Sequence, residues 1–286
     1  MCFLNYITSM TTKFVLITLL VSTISAFCED SKARFAPEFF VFENGVRFGS
    51  TENQIKVLKG LGYDSLGSVK QHSLPERLKL HKEAGLPISS LYIGGPIGVK
   101  MNPVIAESIR QLKGYDTIIE LYVQRGGKNT DEEAVTFVQK VADLAKESGL
   151  KVVLYPHAGF YVDTIGDGVR IAKLAKRDNV GVMFNLCHFL KVEPNSDLRE
   201  TLESAGDLLW RASTCGADND GKNWGTLIQT LNKGSFDQVA FLKMLRELGF
   251  SGDVGLQCYG VRGDPKKNLS DSIEAWKKYL AESLKD

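Results

Sequence analysis

Short apolar segments alternate with amphipathic segments along this chain from about residue 38 to its end. Eight apolar segments have the length of strands, and they lie at 38–42, 64–69, 88–95, 117–123, 151–157, 180–188, 207–214 and 253–260. Apolar residues at helical spacing follow each of them. Strands that alternate with helices predict a parallel sheet, and continuous apolar strands are typical of burial on both faces. Eight such units in about 250 residues predict an α/β protein with a (β/α)8 TIM barrel.

Two classes of nucleotide or nucleic-acid binding are disfavoured. No strand is followed by a GxGxxG or GxxxxGK[ST] segment, which a dinucleotide or P-loop fold would require. The 35 basic and 34 acidic residues give a formal net charge of +1. Because a nucleic-acid surface needs an excess of clustered positive charge, we expect no nucleic-acid partner.

The first 26 residues differ from the rest. Lys13 precedes an apolar run over 14–24, and small residues ending in Ala26 follow it. This pattern predicts a secretory signal peptide over 1–26, with an N-terminal extension over 27–37 and the barrel over 38–286. We therefore expect an exported protein, periplasmic or secreted, with no membrane span after cleavage. A retained membrane anchor is the alternative, although a span needs roughly 20 apolar residues.

Four of the five cysteines, Cys28, Cys187, Cys215 and Cys258, lie beyond the predicted cleavage point. No CxxC pair is present, which argues against a structural zinc site. Export permits disulfides, but a barrel of this size does not need them. We expect most of these thiols to be buried.

Polar residues concentrate where the later strands end, in ELYVQ, LYPH, FNLCH, TCGADN and LQCYG. Active sites of TIM barrels lie at this face. Side-chain alternation places Tyr155 and His157 on one face of their strand, and it places Asn185 and Gln257 above Gly181 and Gly255. Small residues below larger polar ones predict a cup, with Tyr155, Asn185 and Gln257 binding a substrate.

Four titratable residues are candidates for proton transfer. His157 and His188 follow adjacent strands and suit a base near neutral pH. Glu120 lies inside the apolar run TIIELYV, and Asp218 lies in the loop after the seventh strand; either suits the acid. The alternatives are hydrogen-bonded structural histidines, a salt bridge of Glu120 to Lys or Arg, and a backbone turn at Asp218.

Three further residues belong to the predicted rim. Lys222, Trp224 and Arg262 can bind hydroxyls or stack on a sugar ring, and their alternative is a solvated loop position. His81, on a helix face predicted to be polar, is given no role. If a metal binds at all, the sequence predicts His157, His188, Asp218 and Gln257 as its ligands.

The order and spacing of LKGLGYDSLG, KVVLYPH, VMFNLCH, ADNDG and FDQVAFLKMLRELGFSGDVGLQ resemble the xylose isomerase-like TIM-barrel superfamily of sugar phosphate isomerases and epimerases. The resemblance implies a divalent ion held by two Glu, one Asp and one His at strand ends five to eight. Those positions fall on Tyr155, Asn185, approximately Cys215, and Gln257, and none matches. Only His188 of the family's Asp-x-x-His pattern is retained.

The resemblance implies a carbohydrate-active protein of the isomerase or epimerase type, with lyase chemistry also open. Its partner would be a small-molecule carbohydrate, and proton transfer next to a carbonyl would be its reaction. A divalent metal remains possible, although three carboxylate ligands are replaced by neutral groups. The alternative is a catalytically silent barrel that binds a sugar after losing the metal site.

Overall fold

A computed structural model describes residues 35–285. Eight strands form one sheet, and all pairs between neighbouring strands are parallel. The strands are β1 (Phe39–Phe42), β2 (Ser65–Gly67), β3 (Ser90–Pro96), β4 (Ile118–Gln124), β5 (Val152–Leu154), β6 (Val180–Asn185), β7 (Leu209–Thr214) and β8 (Asp253–Leu256). The predicted signal peptide over 1–26 lies outside the described residues, as does most of the 27–37 extension.

Helices follow the strands on the outside of this sheet. They are α1 (Thr51–Leu61), α2 (Leu74–Glu83), α3 (Pro103–Gln111), α4 (Asp131–Glu147), α5 (Ile165–Ala175), α6 (Leu186–Val192), α7 (Leu198–Ala205), α8 (Trp224–Leu227), α9 (Gln238–Glu247) and α10 (Pro265–Ser283). None of the helices in residues 35–285 has the length and apolar character that a membrane crossing requires.

The sheet closes on itself. Its strand order is β2-β1-β8-β7-β6-β5-β4-β3, which leaves β2 and β3 at the two ends. Isolated parallel bridges join Leu66 to Ile88 and Val69 to Leu91 across that gap. The (β/α)8 TIM barrel predicted from the alternation of segments is therefore confirmed, and the carboxyl ends of all eight strands open on one face.

Helix starts follow the local sequence. The Ser50 hydroxyl accepts from the Asn53 amide at the start of α1, and the Thr130 hydroxyl accepts from the Glu133 amide at the start of α4. The reciprocal bond of a capping box, in which the Glu133 side chain accepts from the Thr130 amide, is not formed. The Glu133 carboxylate instead accepts from the Lys128 amide, 2.9 and 3.1 Å away, and holds the preceding loop.

The sixth strand is shorter than predicted. It ends at Asn185, and α6 begins at Leu186, so His188 lies on a helix rather than at a strand end. All residues from Leu186 to Leu190 are buried. A short buried helix shows no polar face, so its apolar run cannot be distinguished from a strand by periodicity.

The barrel interior is filled with large side chains rather than left as a deep cup. Phe40 and Phe42 stack with ring centroids 5.6 Å apart. The space beside Gly67 and Gly255 is taken by these rings, since a Cβ at either glycine would overlap Phe40. The small residues therefore admit phenylalanine rings, and the open volume begins above them.

Candidate active site

A cavity of about 350 Å³ opens at the carboxyl ends of the strands. Most of its wall is apolar or aromatic, and polar groups enter it from several separate loops. Its lining residues are Asn44, Ser68, Lys70, Tyr92, Tyr155, His157, His188, Trp224, Ile228, Gln257 and Tyr259. Five of the ten predicted site residues therefore converge on one hollow: Tyr155, His157, His188, Trp224 and Gln257.

His157 follows β5 and has its protonation set by the main chain. Its Nδ1 lies 3.0 Å from the carbonyl oxygen of Ala158. A carbonyl can only accept, so Nδ1 carries the proton and donates it. Nε2 of His157 is consequently an unprotonated nitrogen with a free lone pair. The ring stacks on Phe160, with centroids 4.0 Å apart, which fixes its plane.

His188, on the first turn of α6, has the opposite arrangement. The amide of Ala158 donates to its Nδ1 across 3.1 Å, so Nδ1 is the acceptor. The proton of the neutral ring is then on Nε2, which is a donor. The two imidazole centroids are 4.2 Å apart. One residue, Ala158, thus gives the cavity wall a basic nitrogen and an N–H donor side by side.

Burial keeps both rings neutral. It lowers the pKa of His157, while the hydrogen bond to Ala158 and the charge of Asp163 oppose that shift. For His188, burial and the neighbouring His157 lower the pKa to about 3. A neutral imidazole at physiological pH is able to accept a proton or to donate a hydrogen bond, but it attracts no anion by charge.

Aromatic rings form the remaining wall and the rim. Tyr92 and Tyr155 meet edge to face with centroids 5.0 Å apart, and Tyr155 meets His188 in the same way at 6.0 Å. Trp224 is 40% exposed and Tyr259 is 61% exposed, although both are large apolar side chains. Exposed aromatic faces at a cavity mouth are suited to stacking on a ligand ring.

Gln257 and Asn44 form one hydrogen-bonded unit at the cavity wall. The Oε1 atom of Gln257 accepts from Asn44 Nδ2 at 2.7 Å and from the Tyr259 amide at 3.0 Å. Since its oxygen is used twice, the Gln257 amide nitrogen is the part left for a ligand. Gln257 therefore presents a hydrogen-bond donor to the cavity.

Asn185 lies below the cavity wall rather than on it. It is buried, its Oδ1 accepts from the thiol of Cys187 at 3.3 Å, and its Nδ2 has no partner. Burial raises the pKa of the adjacent Tyr155, and the Asn185 side chain opposes this rise. Asn185 is thus a buried neighbour of Tyr155. A direct contact of Asn185 with a substrate stays a prediction, and its place outside the cavity lining does not favour it.

Glu120 lies deep inside the barrel and does not line the cavity. Its Oε1 is 3.8 Å from Nε of Arg211, and both side chains are fully buried. Burial raises the pKa of Glu120; the charge of Arg211 and then the hydroxyls of Ser90 and Ser68 oppose the rise. The salt bridge considered from the sequence is present. A catalytic role for Glu120 stays a prediction without a cavity contact to support it.

The other three predicted residues lie outside the cavity lining. The Asp218 carboxylate accepts from Gln229 Nε2 at 3.2 Å, within a loop that the Asp218 amide closes on Thr226. Lys222 and Arg262 are exposed. Their carbonyl oxygens accept hydrogen bonds, from Lys191 Nζ and Asn268 Nδ2 respectively. Their side chains are solvated loop groups, which was the alternative for each.

Several lining residues were not predicted. Asn44 follows β1, Ser68 and Lys70 follow β2, and Tyr92 lies in β3, whereas the predicted site residues all come from β4 onward. His81 was also misplaced, because it is buried and its Nδ1 bonds the Leu86 carbonyl at 2.9 Å. By contrast, Cys187, Cys215 and Cys258 are free and buried, which confirms the expectation for these three thiols.

The residues at this mouth do not fit a divalent metal centre. Within residues 35–285, no group of three or more His, Cys, Asp or Glu side chains is placed to hold an ion. The four ligands suggested from the sequence do not form such a group: His157, His188 and Gln257 line the cavity, whereas Asp218 is outside its lining and accepts from Gln229. The neutral wall of Tyr155 and Gln257 lacks the anionic oxygens that Mg²⁺ or Mn²⁺ prefers.

Comparison with known proteins gives a family match. The profile of the family described as xylose isomerase-like TIM barrel matches residues 55–279. No protein of curated function matches the sequence.

Solved structures share the fold at low sequence identity. A 3-keto-D-glucoside 4-epimerase from E. coli is 17% identical with a TM-score of 0.68, over 85% of this chain and 100% of that one. An L-ribulose 3-epimerase is 14% identical with a TM-score of 0.69, over 87% and 96%. A protein described with a binding zinc atom is 18% identical with a TM-score of 0.66, over 86% and 98%. These values establish a common fold.

Proposed function

The chain belongs to the xylose isomerase-like TIM barrel family, and from this premise we propose that it moves a proton next to the carbonyl of a sugar or sugar derivative. The proposal rests on the complementary tautomers of His157 and His188. Two structural neighbours are sugar epimerases, which supports a carbohydrate as the substrate. Isomerisation, epimerisation and elimination all share this proton transfer as their first step.

In this reaction the Nε2 lone pair of His157 takes the proton from the carbon next to the carbonyl. The electron pair of the broken C–H bond moves into the carbon–carbon bond, and negative charge develops on the carbonyl oxygen. The Nε2–H of His188 donates to that oxygen, a role that a neutral imidazole can fill. With ring centroids 4.2 Å apart, the two imidazoles are close enough to act on neighbouring atoms of one substrate.

The other lining groups orient the sugar. Trp224 and Tyr259 offer exposed ring faces on which the pyranose or furanose ring can stack. The Gln257 amide nitrogen donates to a hydroxyl, since its oxygen is already bound by Asn44 and Tyr259. Aromatic surface around a few well-placed polar groups is the composition usual for small-molecule sites.

Isotope exchange tests the proposal directly. The protein is incubated in D₂O with a panel of keto sugars, and loss of the C–H signal next to the carbonyl is followed by proton NMR. We expect exchange with the native protein and a fall of about 100-fold or more in His157→Gln, because the base is removed. His188→Gln should slow the exchange less, since glutamine retains an N–H donor.

His72→Gln is the matched control, because His72 is an exposed histidine outside the cavity lining. Its exchange rate should equal that of the native protein. If sugars bind but no C–H signal is lost with native protein, the chain is a silent sugar-binding barrel and the proposal is wrong. An equal loss of exchange in the His72 and His157 variants would also contradict it.

We also propose that the protein acts after export. Only the sequence of residues 1–26 supports this step. N-terminal sequencing of the protein secreted or released from its native cells is the test, and a mature chain that begins near Phe27 is the expected result. A chain that retains residues 1–26 would contradict it.

A further inference from the structure

We propose that the segment Ser68–Lys70, which follows β2, is an anion subsite that selects sugars carrying a carboxylate. The inference rests on the proposed function, because it names the substrate class of the same cavity. Four observations carry it: the charge of the cavity wall, the support of the Lys70 main chain, the backbone of Ser68, and the free state of the Lys70 side chain.

The cavity wall has one permanent charge. Of the lining residues within the described part of the chain, Lys70 is the single Lys or Arg, and no Asp or Glu is present. His157 and His188 are neutral for the reasons given above. A concave wall with one cation and no anion attracts a ligand with a negative group.

A largely buried ion pair holds the main chain of Lys70 on both sides. The amide of Lys70 donates to Oε2 of Glu43 at 2.8 Å, and its carbonyl accepts from Nη1 of Arg77 at 3.1 Å. Glu43 and Arg77 in turn form an ion pair, with side chains 14% and 4% exposed. Because Glu43 binds the amide of Lys70 and Arg77 binds its carbonyl, the pair fixes the main chain of Lys70 at the cavity rim. Burying charged groups is costly, and a surface loop does not require it.

Ser68 adopts a backbone conformation that serine rarely takes. Its φ is +52°, in the left-handed region, and its amide donates to Oγ of Ser90 at 2.7 Å. Strain of this kind in a non-glycine residue is found most often at binding and catalytic sites. Here it turns the segment so that both Ser68 and Lys70 line the cavity.

The Lys70 ammonium group has no partner of its own. Among the ion pairs formed by residues 35–285, none includes Lys70, and the nearby Glu43 is taken by Arg77. One ammonium group and one hydroxyl match a monoanion such as a carboxylate. A phosphate ester would carry nearly two charges and is usually met by more than one cation or by a helix N-terminus.

Calorimetric titration with matched ligands tests the subsite. D-glucuronate, D-glucose and D-glucose 6-phosphate are titrated into native protein, Lys70→Met and Lys100→Met. We expect native protein to bind glucuronate about tenfold more tightly than glucose, as a charged hydrogen bond at a half-open site allows. Lys70→Met should bind both sugars equally. The variant should fold, because Glu43 and Arg77 contact the main chain of residue 70.

Lys100→Met is the control for general charge, because Lys100 is an exposed lysine outside the cavity lining. It should keep the native preference. Equal binding of glucose and glucuronate by native protein, or a preference that survives in Lys70→Met, would overturn the subsite while leaving C–H exchange intact. Tightest binding of the phosphate ester would overturn the carboxylate assignment. Absence of any C–H exchange would instead remove the proposed function.

Discussion

His157 and His188 carry their protons on different ring nitrogens, because Ala158 accepts from the first and donates to the second. Both contacts use the main chain of Ala158, so the assignment does not depend on any neighbouring side chain. A base and a donor at neighbouring positions are what a proton transfer next to a carbonyl requires. The pair therefore links the local hydrogen bonding of one loop to the proposed chemistry.

The stability of the protein should fall in mild acid, and His188 should cause part of that fall. Burial and His157 lower the pKa of His188 from 6.5 to about 3 in the folded state. Between those values the unfolded chain binds more protons, so stability is lost as pH decreases through that window. The His188 contribution between pH 7 and pH 5 is about 2 kcal/mol. Thermal unfolding followed by circular dichroism measures it.

His188→Gln isolates this contribution from that of other acidic groups. The variant should lose less stability than native protein between pH 7 and pH 5. Parallel curves for native protein and His188→Gln would show that His188 titrates normally in the folded state.

Glu120→Gln should destabilise the fold and leave ligand binding unchanged. The substitution leaves Arg211 fully buried with Asp253 as its remaining carboxylate, at 3.8 Å. Removing one partner of a buried ion pair costs about 3 kcal/mol or more. Urea unfolding measures the change in stability. Titration with a sugar that shows C–H exchange tests whether Glu120 also acts in the site.

Two comparisons make the Glu120 result decisive. Glu147→Gln, at an exposed position without an ion pair in the described structure, should change stability by less than about 0.5 kcal/mol. Glu120→Met combined with Arg211→Met should recover part of the lost stability, since the fully buried Glu120–Arg211 pair is then removed as a whole. A Glu120→Gln variant with native stability and no C–H exchange would favour the catalytic role.

The sequence predicted the barrel because its eight strands are buried on both faces and its main helices are amphipathic. The same patterns did not separate β6 from α6, where helix and strand residues are equally apolar. His81 was misplaced for a related reason: its helix has a low hydrophobic contrast, and the bond to Leu86 satisfies its ring in the core. Periodicity reports burial only where the two faces differ.

The site was predicted in part. Tyr155, His157 and Gln257 follow from side-chain alternation at strand ends, where several polar residues stand together. Lys70 resembles any loop lysine until the structure shows its main chain held by Glu43 and Arg77. The partner of Glu120 lies three strands away along the chain, and sequence alone does not reveal such a pair. Contacts between distant segments were thus the missing information.

Gly255→Ala should destabilise the barrel through overpacking. A Cβ at Gly255 would overlap the rings of Phe40 and Phe42 inside the barrel. Forcing a methyl group into a filled core costs about 1–3 kcal/mol. Gly95→Ala, at a strand glycine with no atom within 4 Å of the new Cβ, is the control and should stay near native stability. Urea unfolding of both variants measures this, and equal midpoints would show that the interior has room.

Removal of divalent metal should change neither stability nor C–H exchange. The positions that the family resemblance implies for the metal ligands fall on neutral residues, namely Tyr155, Asn185, approximately Cys215, and Gln257. No set of three suitable side chains is assembled in residues 35–285. Anionic oxygens supply most of the affinity for a hard divalent ion, so a site without them binds weakly. Elemental analysis of purified protein should find less than one equivalent of metal, and EDTA should leave the melting temperature and the exchange rate unaltered. Loss of exchange on EDTA treatment that is restored by Mn²⁺ or Zn²⁺ would show that His157 and His188 act together with a metal ion. That result would contradict the metal-free proton transfer proposed for the two histidines.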